Sequence, residues 1–157
     1  MEDYEDGLEQ ATTAPVPTPP LGAEVLDAVV RPALVAATRL FLVAGVALVL
    51  VDERGELNGV VAAGDLAQIL EDAAPQLWSG PSQEVLDSGA VVRTADLPGD
   101  GRWSALARLP SMRGVNGLLC VPVEGPAGAG GTLTAVRRPD RPWQAREIDS
   151  LDRKSVV

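Results

Sequence analysis

Asp96, Asp100 and Arg102 stand within seven residues of one another, with Trp103 directly after them. Two carboxylates and a guanidinium this close can recognise a polar ligand. They can equally satisfy their own loop, the acids accepting backbone amides while Arg102 closes a local ion pair. Paired acids can also carry general acid–base chemistry, but that needs a supporting base or ligand set. None is available, because the 157-residue chain contains no histidine and a single cysteine, Cys120. Imidazole-ligated metals, Ser-His and Cys-His nucleophile pairs, intrachain disulfides and multi-cysteine metal sites are therefore excluded.

Cys120 itself lies in an apolar stretch, Gly117 to Val123, with no basic neighbour to lower its pKa. That predicts a buried, inert thiol in preference to a redox sensor. Trp78 and Trp103 are two of only five aromatics; each can stack on a flat ligand or serve as packing. The glycine-rich run Gly125 to Gly131 precedes a strand and not a helix, so it lacks the amide cradle of a phosphate loop. Arg137, Arg138, Arg141 and Arg146 alternate with Asp140, Glu147 and Asp149, the pattern of a solvated face.

Charge adds further exclusions. The net charge is -9, and five acids fall in the first nine residues, leaving 17 acids against 13 bases in the body. Such a surface repels nucleic acid and anionic membrane. The most membrane-like run, Phe41 to Val51, is too short to span a bilayer, and the acidic start is unlike a secretory signal. A cytoplasmic protein is the expectation, with residues 1–21 a disordered, acidic, proline-rich leader and 22–157 one domain.

Those side chains need elements to place them. Apolar spacing predicts a helix from Ala23 to about Val43, split or kinked at Pro32. Gly45 to Glu53 and Leu57 to Ala63 read as a hairpin turning at Asp52 to Gly55. Asp65 is placed to cap a helix from Leu66 to Ala74 that Pro75 closes, and Gly80-Pro81-Ser82 opens another that Gly89 stops. Ala90 to Thr94 reads as a strand and Ser104 to Met112 as a weak helix. Gly117 to Val123 and Thr132 to Arg137 read as strands, with Pro122 required at an edge or bulge. Trp143 to Lys154 closes the chain as a helix. Hairpins segregated from helices predict an antiparallel sheet in an α+β domain.

The stretch Gly80-Pro81-Ser82, Leu86-Asp87-Ser88-Gly89, Val92, Asp96-Leu97, Asp100 and Arg102-Trp103, followed by Gly114-Val115, Leu118 and Val121-Pro122-Val123, resembles a GAF domain. It is similar to those preceding ANTAR modules in actinobacterial regulators, and Arg137 to Leu151 resembles the last strand and helix of such domains. The resemblance implies a PAS/profilin-like α+β fold: a sheet of six or so antiparallel strands, a small-molecule pocket on one face and terminal helices on the other. It places Trp78, Asp96, Arg102, Trp103 and Cys120 as the ligand-binding set. Departures are informative. The N-K-F-D-E pattern of cyclic-nucleotide binders is missing, as is the histidine of some chromophore and haem sites. Free methionine sulfoxide reductases of this fold use several cysteines, where this chain has one. Gln144 replaces the Ser or Thr that often caps the last helix, predicting a frayed start.

The resulting expectation is a non-catalytic sensory or regulatory module, without metal or cofactor, binding an unidentified small molecule or partner protein. The sequence ends three residues after Lys154, so output is expected through a homodimer or a separate protein. The alternative is a ligand-free dimerisation or assembly module. Small residues at Val60 to Gly64 and Gly114 to Gly117 leave room for a cavity and favour the sensor.

Overall fold

The strand Gly45–Val51 (β1) contains only glycine, alanine, valine and leucine. A segment with no polar alternation suits a strand covered on both faces. In the computed structural model, which describes residues 23–124, 130–139 and 142–154, β1 is such a strand. It pairs antiparallel with Leu57–Gly64 (β2) on one side and Gly130–Arg137 (β5) on the other. Gly117–Glu124 (β4) follows β5, and the short Val92–Thr94 (β3) closes the far edge. The order is β2-β1-β5-β4-β3, so the sheet has five strands where the family resemblance suggested about six. The register of β3 ends at Val92 opposite Cys120, so Pro122 lies beyond it, where no β3 carbonyl waits for the amide proline lacks.

One helix, Ala23–Phe41 (α1), spans Pro32 without a break. Leu42 follows with φ 54°, and the Val43 amide donates to the Thr38 carbonyl at 3.1 Å, closing the helix end around a left-handed residue. Arg31 on α1 ion-pairs with Asp27 and also donates to the Ala62 carbonyl of edge strand β2.

Between β2 and β3 the chain crosses over the sheet in short pieces, and here the local expectations shift. Asp65 does not cap: the Leu66 amide bonds to the Ala44 carbonyl, and Ala67–Asp72 (α2) starts after Leu66 without a side-chain cap. Pro75 opens rather than closes a helix, sitting in the first turn of Ala74–Leu77 (α3). A wide turn, Trp78–Ser82, leads into Gln83–Ser88 (α4), which stops at Gly89 with φ 70°. Instead of one weak helix, Ser104–Ala107 (α5) and a single turn at Pro110–Met112 follow. Ala145–Lys154 (α6) ends the described chain.

The sheet divides two cores. Leu70, Leu77 and Val85 of the crossover, with Leu97, Leu106 and Met112 of the connection from β3 to β4, pack on Ala47, Ala62, Leu118, Cys120 and Val136. Leu34, Trp143 and Leu151 pack on Val46, Val61, Leu119, Val121, Leu133 and Ala135 of the opposite face. The expected alternation along β4 is present, Leu118 and Cys120 facing one core and Leu119 and Val121 the other. Each fully buried leucine contributes roughly 1.5–3 kcal/mol. Small residues expected to leave a cavity are instead close contacts. A Cβ on Gly64 would meet the Ala44 carbonyl oxygen at 2.7 Å, and one on Gly117 would meet the Arg137 side chain at 2.7 Å. The leader and most of the glycine-rich turn lie outside the described residues.

Candidate functional site

On the crossover side, where α4 passes the turn Gly101–Trp103, an open recess of about 480 Å3 is bounded by Ser79, Gly80, Gln83, Glu84, Arg102 and Trp103. Asp87 and Ser88, at the end of α4, complete its rim. Gly80 lies close against the Trp103 ring, which a Cβ there would approach to 3.3 Å. Asp100 organises the opposite wall. Its carboxylate caps the turn by accepting the Arg102 amide at 3.1 Å, and it grips the guanidinium twice, at Nε (2.9 Å) and Nη2 (2.7 Å). The Arg102 hydrogen bonds hold the Asp100 carboxyl at about 2, below its usual 3.8. Arg102 also approaches Glu84 at 3.7 Å, donates to the Arg93 carbonyl at 3.0 Å, and lies 4.2 Å from the Trp103 ring centre.

Arg102 and Trp103 are thus the two sequence candidates that the fold brings together on this recess. Asp96 serves its loop: its carboxylate accepts the Gly99 amide at 3.2 Å, and its own amide donates to Thr94 Oγ1. Trp78 is half-buried at the head of the wide turn and does not line the recess. Cys120 is sealed in the core, with Thr134 Oγ1 donating to its Sγ at 3.2 Å. Burial pushes its thiol pKa up. Ser82 and Thr132 share a hydrogen bond of 2.8 Å beside it. All three hydroxyls are fully buried and partnered, Ser82 and Thr132 with each other and Thr134 with the thiol.

The model of the GAF domain family matches residues 25–153. The chain belongs to the GAF domain family. Solved GAF structures agree in fold at low identity. The GAF domain/HD domain protein of Geobacter sulfurreducens superposes with a TM-score of 0.59 at 19% identity, covering 81% of this chain and 84% of that one. The GAF domain of an Acinetobacter phosphoenolpyruvate-protein phosphotransferase gives 0.56 at 16% identity, over 96% and 85%. A free methionine-R-sulfoxide reductase from Neisseria meningitidis, solved with its substrate, gives 0.59 at 15%, over 82% and 72%. No curated protein sequence matches the chain.

This GAF domain carries a further ion pair that the sequence disguised. Arg137 was expected on a solvated face but is buried. Its Nη1 meets Glu147 at 3.2 Å, its Nη2 donates to the Pro142 carbonyl at 2.9 Å, and its guanidinium lies 3.6 Å from the Trp143 ring centre. A readable signal existed: Arg137 continues the two-residue phase of Leu133 and Ala135, both core residues of the terminal-helix face. Glu147 also accepts the Gln144 amide at 2.8 Å, so the start of α6 is held by the third residue of the helix and not left to fray. Among the described residues of the GAF domain, no helix is long and apolar enough to cross a membrane, and no group of acids and cysteine is placed to hold a metal.

Proposed function

We propose that this GAF domain is a non-catalytic regulatory module whose recess beside Arg102 and Trp103 takes a small molecule or a partner's side chain. Occupancy would favour one packing of the terminal helices and so change a dimer or partner interface. The observation that carries this reading is the recess itself: an indole and a half-exposed guanidinium, both positioned by neighbouring groups, border an open volume. The absence of histidine, the engagement of Asp100 with Arg102 and the burial of Cys120 support a non-catalytic role. The sequence motifs support an actinobacterial regulator of the ANTAR-associated kind, acting in the cytoplasm.

Native mass spectrometry of protein purified without denaturation tests this directly. A bound small molecule that is lost in Arg102→Ala is the expected result. An empty protein whose mass shows a stable dimer would favour the second reading, a ligand-free assembly module. That reading has its own observation: the sheet face opposite α1 is filled by Leu70, Leu77 and Met112, while Val29, Leu40 and Leu42 remain 64–78% exposed around α1.

A further inference from the structure

Strand β3 has three residues and one neighbour in the sheet. Two side chains, one nine residues on and one 49 residues on, hold its carbonyls. Arg102 Nη2 donates to the Arg93 carbonyl at 3.0 Å, and Trp143 Nε1 donates to the Thr94 carbonyl, also at 3.0 Å. Arg102 belongs to the recess. Trp143 belongs to the core under the terminal helices, where it lies against Arg137, the partner of Glu147 on α6. A parallel link runs through the backbone, from the Leu97 amide to the Asn116 carbonyl (2.8 Å) and from the Asn116 amide to the Arg137 carbonyl (3.1 Å).

We propose that β3 is a two-sided clasp that couples the recess to the C-terminal helix, an inference that rests on the recess being the regulatory site. Any group that engages Arg102 competes with Asp100, Glu84 and the Arg93 carbonyl for one guanidinium. A short edge strand has few other bonds, so its docked and undocked states lie close in free energy. Undocking frees the Thr94 carbonyl from Trp143 and loosens the ring on which Arg137 rests. Coupling between sites requires a discrete element that both ends bias, and β3 is held from both ends. Arg102 and Trp143 act here as positioning residues.

Amide hydrogen exchange of the full chain tests the clasp in wild type, Arg102→Ala, Trp143→Phe and the double variant. Phe keeps a ring beside Arg137 but lacks the indole donor. Arg102→Ala is expected to speed exchange of the Ile148 to Leu151 amides by about threefold or more. In the double variant the opening equilibrium should depart from the product of the singles by more than about threefold, beyond the near-additivity of uncoupled sites. Should Trp143→Phe not fold, Arg102→Lys replaces it: it keeps the charge without the fork and should speed α6 exchange as Ala does. Changes confined to residues 83–101, or singles that simply multiply, would overturn the clasp. The measurement needs no ligand, so an empty, stably dimeric protein in the mass spectrum would count against the regulatory reading without altering this result.

Discussion

Arg137 lies 3.6 Å from the Trp143 ring centre with 2% of its side chain exposed, and Arg102 lies 4.2 Å from the Trp103 ring centre with 48% exposed. Both guanidiniums have a carboxylate partner and a backbone carbonyl, so their chemistry is nearly the same. Their environments decide what each can do. Removing a partner from the buried pair strands a charge where water cannot reach it, which makes the arrangement rigid. The exposed pair contributes little to stability, because water replaces what it loses. A regulatory contact has to be exchangeable, and only the Arg102 side of the sheet offers that. The terminal-helix side is closed: the gap among Phe41, Leu119, Trp143 and Leu151 is about 10 Å3, no larger than one water needs.

The widest separation between the two pairs should appear in Glu147→Ala. It leaves Arg137 short of its carboxylate and removes the acceptor of the Gln144 amide, and a loss of about 2–4 kcal/mol in urea unfolding is expected. Gly117→Ala sharpens the same point from the backbone, pressing a methyl onto the Arg137 chain. It should cost about 1–3 kcal/mol in the same assay. Arg102→Ala should cost about 1 kcal/mol or less, and a cost equal to that of Glu147→Ala would break the comparison. The smallest effect is in acid. The carboxyl of Asp100 is held at about 2 against 3.8, so its stabilising contribution is complete above pH 4 and fades as pH falls towards 2. The stability difference between wild type and Asp100→Asn should therefore shrink over that interval in pH-dependent unfolding. A difference that stays constant would show that the Arg102 contact does not depress this carboxyl.

Much of the architecture could be read from single residues. The Val and Leu of β1, the turn at Asp52 to Gly55, the stop at Gly89 and the edge position of Pro122 each carry a local physical reason. The crossover was less legible because tertiary bonds override local caps there: the Leu66 amide is tied to the Ala44 carbonyl, and the helix begins one residue later than Asp65 could cap it. In the candidate site, the tie between Asp100 and Arg102 followed from their spacing, and so did the turn around Asp96. The recess did not, because Ser79, Gly80 and Glu84 reach it only when the crossover packs against the turn Gly101–Trp103. Arg137 was hidden for a compositional reason. Its neighbours are charged, and only the phase of β5 and the position of Trp143 turn it inward.

Guanidinium hydrogen exchange, followed by NMR for both arginines in one sample, tests the contrast most directly. The Arg137 Nη protons should exchange only through large-scale opening, slowing or quickening with global stability in urea. Arg102 protons should exchange orders of magnitude faster through local motion, insensitive to low urea. Equal protection of the two guanidiniums would contradict the assignment of one pair to structure and the other to regulation.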